Sequence, residues 1–429
     1  MASTQRSALT IALLLTVFAS ACAAPIVFGS NGLPQSAFVP RGATSAGAAS
    51  LPGTGAIVTP PKHCEQPPGS APFTATSPES VDINSDAVRA AIGDPAMFTA
   101  SSIRIYRHDC LIAESGKDPQ NEAVPQELWS ATKSVLSMVV GVAVTRGQIS
   151  LDDTVAKYIP NVDEAHGALT LRQLMTHTSG LTFAWANEIA ALSGDSVAYA
   201  MSLPFVHPPG TFFEYAQTTL EVVGAMVEKA VGRDLQDFAQ DALFGPLGIA
   251  RDHWHWQRDG AGHSLGFAGL SFPSMDLGRL ASLLLHGGDW RGSRIISADY
   301  VDQMGAPGPA NGGYGLLTWT NRGADYFSPS ALVRHHVEHR WIVGAPADLF
   351  GMSGLFDQEI WMIPSLDMVV IRTGGPELPA GWKHAFVSRL FAGLRDVHLP
   401  DPGPLPQDID VDLTDFSRLI DFATWPHSP

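Results

Sequence analysis

The chain has 429 residues, 26 Lys+Arg against 42 Asp+Glu, a formal net charge of −16 and 45% hydrophobic residues. That much apolar material can bury one large core or two lobes. The acidic balance argues against a nucleic-acid partner, because few cations could replace the counterions of a phosphate backbone, and against binding to an anionic membrane surface.

The amino terminus reads as an export signal over residues 1–21. Arg6 precedes an apolar run from Leu9 to Phe18. The run is too short for a hydrocarbon layer of about 30 Å and matches a signal core. Ala19-Ser20-Ala21 fits ordinary signal-peptidase cleavage. The same small residues before Cys22 fit a bacterial lipobox in which Cys22 carries lipid, although Ala19 stands where a branched apolar residue is usual. Both readings stay open: one expects a periplasmic protein, the other a membrane-anchored lipoprotein. Residues 22–80 are rich in Pro, Gly, Ala and Ser without periodicity, so a disordered linker is expected there. If Cys22 is removed or acylated, Cys64 and Cys110 remain in an oxidising compartment. A disulfide between them would pin the linker to the domain, with two free thiols as the alternative.

A helix is expected over residues 85–92. A hairpin follows, with Ile103 to Arg107 and Leu111 to Ala113 flanking His108-Asp109-Cys110. Helical patterns then run over residues 131–146, 171–176, 218–230, 235–243, 275–286 and 298–304. A second hairpin joins residues 359–363 and 367–372 through Pro364-Ser365-Leu366, and a helix over 383–394 closes a domain set at residues 81–397. An acidic, proline-rich tail occupies 398–429, with a docked segment expected at 416–422. Strands at both ends with helices between predict an α+β fold. Its antiparallel sheet is built from both termini, flanked by N- and C-terminal helices, beside a central helical lobe. The cleft between sheet and lobe is the expected place for a site.

Ser130-Ala131-Thr132-Lys133 opens a helical pattern whose apolar face carries Val135, Met138, Val139 and Val142. Residues three apart share a helix face, so the Ser130 hydroxyl and the Lys133 amine can meet. A hydroxyl becomes a useful nucleophile when a base takes its proton, and a desolvated lysine can be that base. The pattern alone is weak. The chain has six lysines, and a serine three residues before one of them arises by chance roughly half the time. The competing reading is a capping serine and an exposed lysine, but the uncharged stretch around Lys133 favours burial.

More residues sharpen the picture. Trp129-Ser130-Ala131-Thr132-Lys133-Ser134 resembles the nucleophile motif of the serine β-lactamase-like, penicillin-recognising hydrolases. Leu169 through Leu181, with His177-Thr178-Ser179-Gly180, resembles that family's signature helix and turn. Pro209 through Gln217 resembles the segment with its Tyr-x-Asn motif, and Gly269-Leu270 with Met275 to Leu280 matches the following helix. The motifs occur in register over residues 85–395. The resemblance implies that Ser130 is acylated, that Lys133 is its base and that Tyr215 relays protons. It implies an oxyanion hole from the backbone N–H groups of Ser130 and Leu355, and substrate contacts at Gln217, Ser353 and Gly354. No metal or organic cofactor is implied.

Two departures stand out. Gln217 replaces the family's Asn, and Met352-Ser353-Gly354 stands where penicillin-binding members carry Lys-Thr-Gly. The missing cation at 352 weakens β-lactam chemistry and favours neutral ester or amide substrates, as in esterase-like and amide-hydrolase-like members. The expectation is an exported serine hydrolase. A D,D-peptidase or β-lactamase, or an inactive member that binds peptidoglycan or a partner protein, is the alternative. His335-His336-Val337-Glu338-His339 contains His-x-x-Glu-His, which on a helix could bind zinc. A metalloprotease reading needs a further acidic ligand well downstream, no glutamate occurs after Glu377, and a polar helix in an insertion is the expectation there. His177 and the His253–Trp256 stretch read as packing residues.

Overall fold

The strands form where the sequence alternates or runs apolar between turn residues. The computed structural model describes residues 62–121, 123–329, 334–376, 378–406, 421 and 423–426. The signal segment, Cys22 and residues 23–61 lie outside these, as does the 416–422 segment apart from Asp421. Strands β1 (Ser102–Arg107) and β2 (Cys110–Glu114) turn at His108 and Asp109, both at positive φ. Near the other end, β7 (Gln358–Ile363) and β8 (Met368–Thr373) turn over Pro364–Leu366. With β3 (Trp319–Thr320) and β6 (Phe350–Gly354) they make one antiparallel sheet in the order β2-β1-β8-β7-β6-β3. The sheet is built from both ends of the domain, and the α+β expectation holds.

Alternation decides which face each helix covers. Tyr106 and Met362 flank Val369 on one face; Ile105 and Trp361 flank Val370 on the other. Helix α7 (Ser274–Leu285) covers the Tyr106 face, where Gly278 lets its backbone approach the Tyr106 ring. Helix α9 (Trp382–Phe391) covers the opposite face: Trp382 and Phe386 pack on Trp361 at 5.6 and 5.9 Å between ring centres. Helix α1 (Ser85–Ile92) packs against α9. The central lobe includes α2 (Thr132–Thr145), α3 (Leu171–Met175), α4 (Trp185–Ala191), α5 (Thr219–Val231), α6 (Leu235–Ala239) and α8 (Ala298–Met304). A π-helical turn, Gln240–Phe244, replaces the second half of the helix expected over 235–243. No helix among the described residues is long and apolar enough to cross a membrane.

Two expectations need correction. The disordered linker set at 22–80 does not extend through 62–80. Cys64 is disulfide-bonded to Cys110, Phe73 packs against Tyr106 and Trp290, and the Arg279 guanidinium donates to the carbonyls of Gly69 and Ala71. A proline-rich stretch suits this course, because it lies extended and lets side chains and carbonyls of the domain fix it. The 335–339 cluster is not helical. Residues Arg334–Val337 form strand β5, paired with β4 (Tyr326–Pro329). On a strand successive side chains point to opposite faces, so the helical spacing needed to gather zinc ligands is lost. His336 meets Asp325 at 3.3 Å, and Arg334 lies over the rings of Phe327 and Phe212. In the tail, Asp421 and Thr424 bond the side chain of buried Asn187 on α4.

Candidate active site

The turn that carries Ser130 is strained and anchored. Ser130 lies in a short 3-10 turn, Trp129–Ala131, that runs directly into α2. Trp129 has φ of 49°, a left-handed backbone rare for a bulky residue. Glu127 holds it: its Oε1 accepts the N–H groups of Trp129 and Gly269 at 3.1 and 2.8 Å. Helix α2 is apolar nearly all round and therefore runs through the interior, which takes Lys133 inside with it.

Lys133 Nζ touches three oxygens: Ser130 Oγ at 3.0 Å, Gln217 Oε1 at 2.8 Å and the Phe267 carbonyl at 3.1 Å. Burial drives its pKa well below the usual lysine value, against the opposing pull of Glu221 and Glu188. A neutral amine has two N–H bonds and one lone pair. The Phe267 carbonyl can only accept. The Gln217 amide has a fixed orientation, because its Nε2 donates to the Tyr215 carbonyl and its Oε1 must then face the lysine. In the neutral amine both N–H bonds are therefore committed, which leaves the lone pair for the Ser130 hydroxyl proton.

Tyr215 lies on the other side. Its ring centre is 4.5 Å from Lys133 Nζ, and the Ser130 and Tyr314 hydroxyls lie beside its phenol oxygen. Burial pushes its pKa up, so the phenol keeps its proton. Beneath it His177 is buried, meets the Phe213 ring edge-on and the Tyr215 and Tyr314 rings at a tilt, and among the described residues has no hydrogen-bond partner for either ring nitrogen. Burial, and then the neighbouring Lys133, hold it neutral. A packing role matches the expectation for this residue.

The β6–β7 turn supplies the opposite wall. Gly354 abuts the nucleophile turn so closely that a Cβ there would sit 2.2 Å from the Leu128 carbonyl oxygen and 3.2 Å from Ser130 N. Gly354→Ala should therefore push the turn off Ser130, costing about 1–3 kcal/mol by overpacking. Thermal melts and acylation rates would check this, and both are expected to fall. Leu355 follows at the rim, 42% exposed. Ser353 faces the other side of the strand and donates to Glu359 at 2.7 Å. Glu359 is buried and also accepts from Trp361 Nε1 and pairs with Lys383 at 2.6 Å. Met352 is fully buried.

The sequence-derived residues thus converge on one place: Ser130, Lys133, Tyr215, Gln217 and Gly354 meet, and Leu355 borders them. Gln217, expected to contact substrate, is instead buried with both amide atoms engaged inside the protein. Sequence reasoning missed Glu188 and Glu221. The available signal was Glu221 as the one charged residue in the apolar stretch 220–227, ahead of Glu228 and Lys229.

A serine hydroxyl bonded to a buried amine is the arrangement that acyl transfer through serine requires. The chain belongs to the beta-lactamase family, whose model matches residues 105–373. It is similar to monacolin J acid methylbutanoyltransferase of Aspergillus terreus, 28% identical over 30% of this chain and 38% of that one. It is also similar to esterase EstB of Burkholderia gladioli, 28% identical over 38% of this chain and 46% of that one. Each match spans less than half of the relative. In fold it is similar to a penicillin-binding protein homolog from Caulobacter crescentus, with a TM-score of 0.55 and 14% identity, covering 75% of this chain and 99% of that one.

Proposed function

We propose that this chain is an exported serine hydrolase that cleaves neutral esters or amides through an acyl-enzyme on Ser130. The observation that carries the reading is the set of three oxygens around Lys133 Nζ, those of Ser130, Gln217 and Phe267: in the neutral amine the two N–H bonds go to Gln217 and Phe267, and the lone pair is aimed at Ser130 Oγ. Ser130 Oγ attacks the substrate carbonyl carbon as its proton passes to Lys133 Nζ. Negative charge on the tetrahedral oxygen meets the N–H groups of Ser130 and Leu355. The lysine proton then passes through the Tyr215 hydroxyl to the leaving oxygen or nitrogen, and the acyl–Ser130 ester forms. A water repeats the sequence and releases the acid. A phenol that retains its own proton suits such a relay better than it suits the role of base.

Substrate charge follows from what surrounds the Met352-Ser353-Gly354 strand. Met352 is apolar and buried, and the Lys383 ammonium is already paired with Glu359. A substrate carboxylate gains little there, which speaks against penicillins and D-alanyl peptides. The Cys64–Cys110 bond fits the oxidising compartment that the amino-terminal signal implies.

Intact mass after exposure to p-nitrophenyl butyrate, and separately to benzylpenicillin, tests the proposal. A butyryl adduct mapped to Ser130, without a lasting penicilloyl adduct, is expected. A penicilloyl adduct alone would turn the reading to a β-lactamase or D,D-peptidase. No adduct with either, and no turnover, would favour a binding role.

A further inference from the structure

Two buried carboxyl groups lie behind the lysine, and the acyl-transfer steps leave them without a task. Glu188 on α4 is wholly buried, and its Oε2 accepts the backbone N–H groups of Gln217, at 3.1 Å, and Thr218. Glu221 on α5 is equally buried, and its Oε1 accepts the N–H of Gly266 at 2.8 Å. Gln217 and Phe267, the residue after Gly266, carry the two oxygens that receive the Lys133 N–H bonds. Each carboxyl thus fixes the backbone at, or next to, one acceptor of the amine.

Stability alone does not account for them. Glu188 Oε1 and Glu221 Oε2 are buried with no hydrogen-bond partner among the described residues. An orphaned buried oxygen is destabilising, and it offsets part of what the bonds to the backbone N–H groups contribute. Burial also pushes their pKa values up, to about 7 for Glu188 and about 8 for Glu221. Near neutral pH Glu221 is mostly a neutral acid, and an ionised carboxylate here would favour the ammonium over the free amine. The other titratable groups facing this set are His177 and Tyr215 beside Lys133, Glu214 and Tyr199 near Glu188, and Asp259 near Glu221.

We propose that Glu188 and Glu221 are positioning residues: through the backbone N–H groups of Gln217, Thr218 and Gly266 they hold the two oxygens that orient the Lys133 lone pair toward Ser130. The inference rests on the acyl-enzyme reading above and adds the parts that aim its base.

Side-chain length separates this role from packing or charge. Glu221→Gln and Glu188→Gln keep an acceptor oxygen at full reach and imitate the neutral acid. Glu221→Asp and Glu188→Asp keep the charge type but withdraw the oxygen by one methylene, and Glu221→Leu removes it. At pH 7 with p-nitrophenyl butyrate, the Gln variants should keep kcat within about threefold of wild type. The Asp and Leu variants should lose about thirtyfold in kcat with KM nearly unchanged, the size of one misplaced buried hydrogen bond. Circular dichroism and melts establish that each variant is folded. If Glu221→Leu does not fold, the Gln against Asp comparison still decides. Folded Asp variants that match the Gln variants in kcat would overturn the proposal, as would a loss confined to KM. Ser130→Ala in the same assay keeps the two readings apart: turnover that survives it removes the acyl-enzyme reading, whatever the glutamates do.

Discussion

Ser130→Ala is expected to abolish labelling by a fluorophosphonate probe and to lower ester turnover by about 10⁴-fold or more, as removal of a serine nucleophile does elsewhere. The cause is simple. The Ser130 hydroxyl is the group toward which the amine lone pair, the Tyr215 phenol and the Gly354 turn all converge. The fold should survive, because the Ser130 side chain bonds only to site partners and Cβ remains to pack. A variant still labelled at wild-type stoichiometry would place the nucleophile elsewhere, and peptide mapping of the adduct would show where.

Lys133→Met should cost nearly as much, about 10³-fold in acylation, the upper range for loss of a general base. Methionine fills much of the same volume but leaves the Gln217 and Phe267 oxygens without their donor. The wild-type pH profile carries a companion result. Acylation needs the neutral amine, so the rate falls as pH drops through the lysine pKa and levels off above it. Burial sets that pKa far below the ordinary lysine value of 10.5, so the plateau should be reached well before pH 10. A rate still climbing with slope one at pH 10 would mean a hydrated ammonium, and would take Lys133 out of the role of base.

The parts of this molecule that were legible in the sequence are those written in local periodicity. The two hairpins alternate or run apolar between turn residues, and α2 carries its apolar face on every third or fourth residue. Ser130 and Lys133 are one helical turn apart, so their meeting is a local fact. Tyr215 was reachable only through resemblance, because its approach to Lys133 depends on how α5 and the loop before it pack against α2. Glu188 and Glu221 are long-range in the same sense: each is read only after its backbone partners are known. The errors have equally physical origins. His335 to His339 carries polar residues that satisfy a helical and a strand period alike, and the pairing of Arg334–Val337 with Tyr326–Pro329 decided it. Residues 62–80 have the composition of a loose tether, yet the Cys64 disulfide, the Phe73 ring and the Gly69 and Ala71 carbonyls bind them to the domain.

The pairing of β1 with β8 joins the first and last strands of the domain, Ser102 opposite Thr373. A ribosome delivers these strands in order, so the middle of the sheet stays open until nearly the whole polypeptide has been made. Closing so distant a contact is slow, and the waiting β1 edge is exposed to self-association. Such a chain favours late, concerted folding. A nascent chain stopped anywhere before Met368 should remain protease-sensitive throughout.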